Sequence, residues 1–139
     1  MLFEARTGEI INAAMRVHSV LGAGLFEEVY KVCLRHELLK NEIKVLSEVG
    51  LPVTYDGVKL EIGYRIDLLV EDNVIVELKS VDPIAPVHKA QLITYLKLAH
   101  LKVGLILNFN VPYLKDGILR VVNTFPTPRL PAYSALKIS

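Results

Sequence analysis

The segment Gly63–Ser80, GYRIDLLVEDNVIVELKS, constrains the fold more than any other part of the chain. Apolar residues recur at every second position before and after Glu71-Asp72-Asn73, which is the pattern of two antiparallel strands joined by a turn. A turn over residues 71–73 brings apolar side chains opposite one another on one face of the hairpin. The pairs are Val70 with Val74, Leu68 with Val76, and Ile66 with Leu78.

A two-residue turn at Asp72-Asn73 is the alternative, since this is a plausible turn pair. Without a compensating bulge it would shift the pairing by one residue and scatter the apolar side chains over both faces. The hydrophobic pattern therefore favours the three-residue turn.

The favoured register places two carboxylates opposite each other. Asp67 faces Glu77, with Lys79 two residues further along and Arg65 across from it. Directly opposed side chains have Cβ atoms roughly 4.5–5.5 Å apart, and like charges that close repel unless a cation lies between them. Two hard oxygen ligands beside an ammonium suit a Mg²⁺-type ion and a phosphate. The alternative is a solvated face on which Arg65 and Lys79 form surface ion pairs with the acids.

Length, charge and cysteine content limit the class of protein. A chain of 139 residues with 52% hydrophobic content predicts a single domain, 1–139, with a compact core. The single cysteine, Cys33, excludes a disulfide framework and a Cys-rich zinc site, and its apolar surroundings predict a buried thiol. The net charge of +1 is not the strongly basic balance of a protein that holds nucleic acid by charge alone. No signal peptide or membrane-spanning stretch is visible, which predicts a cytoplasmic protein without membrane association.

Periodicity and turn residues predict the remaining elements. The predicted helices are Thr7–Leu21, about Leu25–Lys40 and about Val87–His100, and the further strands are Val45–Tyr55, Val58–Tyr64, Val103–Asn108 and Ile118–Val122. The first three strands form an antiparallel meander, and the third helix leads to a buried strand through a β-α-β crossover, expected to be parallel and right-handed. Pro52 places its strand at an edge or at a bulge. Residues 124–139 contain three prolines and are expected to form an extended tail that packs on a neighbour or frays.

Side-chain positions in the helices follow from the same periodicity. Thr7 is expected to be the N-cap of the first helix. The second helix is expected to bury Phe26, Val29 and Cys33, with Leu34 and Leu38 beside them. On the third helix, Pro86 is expected at the first position. The expected apolar face of that helix is Ala90, Ile93 and Leu96, with Leu92 and Ala99 beside them, and its polar stripe is His88, Gln91 and Tyr95.

Chemically distinctive residues occur in a fixed order along these elements. They are Gly24-x-x-Glu27-x-x-Tyr30 at the second helix, Asp67 and Glu77-x-Lys79 on the hairpin, Gln91-x-x-x-Tyr95 on the third helix, the NFNVP segment Asn108–Pro112, and Asp116–Ile118. Together they resemble the GxxExxY family of the PD-(D/E)XK nuclease-like superfamily, and the resemblance extends from about Thr7 to Asn123. Ile66 stands where the name of the superfamily would place proline.

This resemblance implies a fold and a set of site residues. The implied fold is α/β (α+β, with a mixed sheet): a restriction-endonuclease-like core with a three-strand meander, a β-α-β crossover and flanking helices. Asp67, Glu77, the backbone carbonyl of Leu78 and Glu27 would be ligands of Mg²⁺ or Mn²⁺. Lys79 would orient the attacking water and stabilise charge on the phosphate. Gln91 and Tyr95 would shape the site or contact the substrate backbone.

Three functional hypotheses follow. The leading one is a metal-dependent nuclease that hydrolyses phosphodiester bonds of DNA or RNA. The alternative is a non-catalytic module of the same fold that holds nucleic acid or another protein. A homo-oligomer whose subunits exchange the proline-containing tail is compatible with either.

Overall fold

The computed structural model describes residues 2–124, the side chains of residues 2–4, 61 and 62 excepted, and within this range the chain forms three α-helices and five β-strands. In chain order the elements are α1 (Leu2–Leu21), α2 (Glu27–Lys40), β1 (Val45–Tyr55), β2 (Val58–Val70), β3 (Val74–Lys79), α3 (Pro86–Ala99), β4 (Val103–Asn108), a 3₁₀-helix (Leu114–Gly117) and β5 (Ile118–Val122). None of the described helices is long and apolar enough to cross a membrane. The predicted tail lies outside the described residues except for Thr124.

The five strands form one mixed sheet in the order β1-β2-β3-β4-β5. The first three strands are the predicted antiparallel meander, β3 and β4 pair in parallel, and β4 and β5 pair antiparallel. The mixed α/β architecture with its β-α-β crossover is therefore confirmed. The prediction for Pro52 is also confirmed, because β1 is an edge strand and its register shifts between Leu51 and Val53.

The hairpin between β2 and β3 has the predicted register. Val70 pairs with Val74 and Leu68 pairs with Val76, so residues 71–73 form the turn. Asp72 adopts a left-handed backbone conformation with φ of 59°, which aspartate tolerates better than most residues. The two-residue alternative is excluded.

Apolar side chains pack on both faces of this sheet. The first core lies between the sheet and helices α1 and α2, and the second core lies between the sheet and α3. Sheet residues of the first core are Val45, Leu68, Val70, Val74, Val76, Leu78, Val103, Leu105 and Leu107. Those buried in the second core are Leu51, Ile66, Ile75, Ile106 and Val121.

The prediction that Ile66 shares a face with Leu68 is therefore wrong. Regular pairing between β2 and β3 stops at Leu68, so nothing holds Ile66 against Leu78. On the other side of β2, Glu48 has a left-handed φ of 56° and interrupts the alternation of β1. Because of this irregularity Val49, the partner of Ile66, also packs against the second core.

Helix α1 begins at Leu2 and not at Thr7. Thr7 is buried within the helix, 5% exposed, and does not cap it. The preceding residues include neither glycine nor proline, so nothing in the sequence ends the helix there.

Helix α2 buries a different face from the one predicted. Phe26 is 84% exposed and Val29 is 38% exposed, whereas Tyr30 is fully buried together with the predicted Leu34 and Leu38. Tyr30 occupies the inward position because its ring stacks on Phe109, with ring centroids 4.3 Å apart. Phe109 is far from Tyr30 in the sequence, so helical periodicity could not predict this contact. Cys33, predicted as a buried thiol, is half-buried and free.

Candidate active site

The pairing of β2 with β3 ends one residue before the two predicted carboxylates. Beyond Leu68 and Val76, the two strands are joined by hydrogen bonds between side chains and backbone amides, not by backbone-to-backbone pairing. The amide of Asp67 donates to Oε2 of Glu77 at 3.0 Å, and the amide of Leu78 donates to Oδ2 of Asp67 at 2.9 Å. Each carboxylate therefore accepts a hydrogen bond from the backbone of the opposite strand. The hairpin register predicted from sequence brings these two acids together.

Burial makes this pair electrostatically unfavourable. Glu77 is only 6% exposed. Burial, followed by the negative charge of Asp67, raises the pKa of Glu77 from 4.5 to about 8, although the ammonium of Lys79 acts in the opposite direction. A site with two close carboxylates and one nearby ammonium attracts a further cation.

The alternative of solvated surface ion pairs does not describe this site. Glu77 is buried, and Arg65, 72% exposed, is paired at 3.7 Å with Glu48 on β1. Within residues 2–124, no ion pair of 4 Å or less joins a described side chain to Asp67 or Glu77.

Glu27 approaches the end of β3 but does not join the two acids. It lies in the first turn of α2, is exposed, and accepts a hydrogen bond at Oε2 from the amide of Ser80 at 3.3 Å. In the part of the chain that the structure describes, no three His, Cys, Asp or Glu side chains are arranged to hold a metal ion. Leu78, the fourth predicted ligand, separates Glu77 from Lys79, and its carbonyl belongs to the paired strand β3.

The turn that carries Glu27 is fixed by Tyr30. The Tyr30 hydroxyl donates to the carbonyl of Gly22 at 2.6 Å and accepts from the amide of Leu25 at 3.0 Å. Gly24 lies within this turn at a φ of 99°, which glycine adopts without strain. The spacing Gly24-x-x-Glu27-x-x-Tyr30 thus has a structural reason, because the tyrosine holds the turn from which the glutamate projects.

The third helix presents Tyr95 and Gln91 differently from the polar stripe predicted. Tyr95 is 6% exposed and packs in the second core, whereas Gln91 is exposed. The pKa of Tyr95 is raised by burial first and then by the charges of Glu77, Tyr64 and Asp67. His88 serves the helix itself, because its Nδ1 accepts the amide of Ala85 at 2.9 Å. Of the expected apolar face, Leu92 and Leu96 are buried but Ala90 is exposed.

Asn108 is a site residue to which sequence reasoning assigned no role. It ends β4 beside Lys79 in the parallel register and is 2% exposed. Its Oδ1 accepts the amide of Val81 at 3.1 Å, and its Nδ2 donates to the carbonyl of Val81 at 3.0 Å. The sequence did contain a signal for this role, because Asn108 ends an otherwise apolar strand. A side-chain amide in such a position is buried and needs hydrogen-bond partners. Asn108 thereby fixes the segment that follows Lys79.

The raised pKa of Glu77 predicts a pH-dependent stability. Below pH 4.5 this carboxyl is protonated in the folded and the unfolded chain, whereas between pH 4.5 and about 8 only the folded chain keeps the proton. The free energy of unfolding should therefore fall as the pH rises through this interval, by an amount on the order of a few kcal/mol. The melting temperature of the wild type in EDTA, measured between about pH 5 and 8, should decrease.

Two glutamine variants separate this effect from general acid titration. Glu77→Gln should lose most of the decrease, and Glu42→Gln, at an exposed position, should keep it. The same slope in wild type and Glu77→Gln would contradict a raised pKa of Glu77.

Comparison with known proteins agrees with this geometry. The sequence matches the PD-(D/E)XK nuclease superfamily over residues 4–121, which is most of its length, so the chain belongs to this superfamily. Nucleases of this superfamily generally depend on a divalent metal ion. No curated protein and no solved structure shows significant similarity to the chain.

Proposed function

We propose that this protein is a divalent-metal-dependent nuclease whose site is formed by Asp67, Glu77 and Lys79. The observation that carries the proposal is the opposition of Asp67 and Glu77 where the strand ladder ends, with each carboxylate bonded to the other strand's backbone. Solvated carboxylates have no need of such an arrangement, whereas ligands of a hard cation must be held rigidly and close together. Membership of the nuclease superfamily supports nucleic acid as the substrate.

The donor set fits Mg²⁺ or Mn²⁺. Asp67, Glu77 and the backbone carbonyl of Leu78 supply hard oxygen ligands. Burial first, and then the charge of Asp67, raise the pKa of Glu77, and a bound cation would favour the ionised form of this carboxyl. Glu27 could join this set only by giving up its hydrogen bond to the amide of Ser80. The bound ion would lower the pKa of a water molecule and offset charge on the phosphate.

The protein's own groups have distinct parts in this mechanism. Lys79 leaves β3 two residues beyond Glu77, and its ammonium can orient the phosphate and the attacking water as negative charge develops. Tyr95 packs in the second core, and the charges of both acids act on its hydroxyl. Gln91 is exposed on α3 and available to the substrate backbone. Asn108 keeps the chain after Lys79 in place through Val81.

Within the superfamily, we place the chain in the GxxExxY family. The structure supports this family assignment in addition to the sequence motif. Gly24 and Tyr30 form the turn that directs Glu27 toward the end of β3. This assignment predicts that Glu27 takes part in activity, even though it lies apart from the other acids in this structure.

Hydrolysis of single-stranded and duplex DNA and RNA, with Mn²⁺, Mg²⁺ or EDTA, tests the proposed function. We expect cleavage with metal and none with EDTA. Lys79→Ala should lower the rate by about a hundredfold or more, the usual effect of removing one group that stabilises transition-state charge. The matched control is Lys102→Ala, which should cleave normally. Lys102 is exposed and immediately precedes β4, at the end of the sheet opposite to Lys79.

The contrary outcomes are specific. Cleavage that persists undiminished in Lys79→Ala would show that another site or a contaminant is responsible. Metal binding without hydrolysis of any substrate would favour a non-catalytic module of the same fold.

A further inference from the structure

The aromatic ring of Phe26, which precedes Glu27, is exposed to solvent and does not pack in the core. Phe26 is 84% exposed and precedes α2 as its N-cap residue, adjacent to Glu27. It borders a cleft of about 510 Å³. The lining residues are Gly24, Leu25, Phe26, Glu27, Ser80 and Asn110. Because Tyr30 occupies the inward position at this end of α2, Phe26 contributes little to the first core.

A second accessible ring lies on the other face of the sheet. Tyr64 is 50% exposed and precedes Asp67 by three residues on β2. Its ring centroid is 5.8 Å from that of Tyr95 on α3. Phe26 belongs to the side of the sheet covered by α2, and Tyr64 packs on the side covered by α3. One exposed ring thus lies on each side of the sheet near the acids in the chain: Phe26 precedes Glu27, whose carboxylate accepts the Ser80 amide, and Tyr64 precedes Asp67 on β2.

The low net charge and the exposed rings bear on whether the nucleic acid is a duplex or a single strand. Duplex binding depends on many phosphate contacts by lysine and arginine, and a net charge of +1 offers no such excess. Proteins that hold single strands combine a positively charged groove with aromatic rings on which unpaired bases stack. In a duplex the base faces are covered by neighbouring bases and cannot stack on a protein ring.

We infer that the substrate is single-stranded nucleic acid whose bases stack on Phe26 and Tyr64 on either side of the cleaved phosphate. This inference rests on the proposed nuclease function and adds the substrate class to it. Phe26 and Tyr64 act through binding and position the strand, whereas Asp67, Glu77 and Lys79 act on the phosphodiester.

Fluorescence anisotropy tests this inference with three labelled probes of about 20 nucleotides, a length that covers one single-strand site of this size. The probes are oligo-dT, oligo-rU and a mixed-sequence duplex, measured in Ca²⁺, which accepts the same oxygen ligands. We expect both single strands to bind more tightly than the duplex. Phe26→Ala and Tyr64→Ala should each weaken single-strand binding by roughly tenfold, the usual effect of losing one stacked base.

Two further variants identify the cause. Phe26→Leu keeps an apolar side chain but removes the aromatic face, so it should bind as weakly as Phe26→Ala. Tyr55→Ala removes a ring that is 75% exposed at the β1–β2 turn, far along β2 from Asp67, and should bind like the wild type. Since Phe26 and Tyr55 are largely exposed, the melting temperatures of their variants should remain close to that of the wild type, whereas Tyr64→Ala should lower it slightly because it removes the contact with Tyr95.

Each contrary outcome has its own meaning. Equal binding of single strands and duplex, or unchanged binding in both alanine variants, would overturn the inference. Self-association on size-exclusion chromatography that Phe26→Ala abolishes and Phe26→Leu retains would instead identify Phe26 as a protein-docking residue.

Hydrolysis of bis(4-nitrophenyl) phosphate, which contains no bases, tests the metal site separately. If the wild type hydrolyses it with Mn²⁺ but does not prefer single strands, the inference fails and the nuclease function stands.

Discussion

Replacing Asp67 by asparagine is expected to abolish Mn²⁺ binding and to reduce phosphodiester hydrolysis by at least about a thousandfold, since the metal-bound nucleophile would be lost. Asparagine keeps the size of the side chain and can still accept the Leu78 amide through its carbonyl oxygen, so the fold should persist. It removes one of the two charges that attract the ion. Isothermal titration of Mn²⁺ into wild type and variant measures the binding directly.

The same substitution at Asp72 is the matched control. Asp72 lies in the turn of the same hairpin, is exposed and is paired at 2.8 Å with Lys44. Asp72→Asn should therefore bind Mn²⁺ and cleave like the wild type. In thermal unfolding, Mn²⁺ should raise the melting temperature of the wild type and of Asp72→Asn, because a ligand that binds only the folded state stabilises it. It should leave that of Asp67→Asn unchanged. A wild type that neither binds nor is stabilised at millimolar Mn²⁺ would refute the metal site.

Gly117→Ala is expected to destabilise the fold by at least about 2 kcal/mol, because it forces an atom into a filled space. A Cβ at this position would lie 2.1 Å from the backbone oxygen of Asn108, and the backbone has little freedom to move away. Gly117 ends the 3₁₀-helix that packs beside β4. The clash would therefore act on the strand end whose Asn108 side chain holds the segment after Lys79.

Gly8→Ala provides the opposite case. Gly8 lies within α1, and a Cβ there would meet nothing within 4 Å. Alanine in a helix is more favourable than glycine by roughly 0.5–1 kcal/mol, so this variant should be stabilised. Urea unfolding of the two variants and the wild type measures both effects. A Gly117→Ala protein as stable as the wild type would show that the end of β4 can move away from the 3₁₀-helix.

Elements dominated by local patterns were predictable. The bounds of β1, β4 and β5 agree with the prediction because each is a run of β-forming residues between turn residues. The register of the hairpin was also predictable, since a shift by one residue would have exposed its apolar side chains. The opposition of Asp67 and Glu77 follows from that register, so the three residues of the proposed site, with Lys79, were already contained in eighteen consecutive residues.

Contacts between distant segments decided the rest. Whether Phe26 or Tyr30 faces inward in α2 depends on Phe109, which stacks on Tyr30 from the end of β4. Tyr95 is buried because the second core, not the solvent, lies beneath α3. The position of Ile66 depends on an irregularity of Glu48 in a different strand. None of these partners is close in sequence, and helical or strand periodicity contains no information about them.

The sequence by itself determined the strands, the turn and the pairing of the two acids, because short-range alternation and turn chemistry suffice for these. Only the tertiary structure decided that the ladder stops at Leu68 and Val76, that Glu77 is buried enough to raise its pKa to about 8, and that Glu27 bonds to Ser80. Burial, and with it the free energy of ionising a carboxyl, depends on every segment that packs around the group.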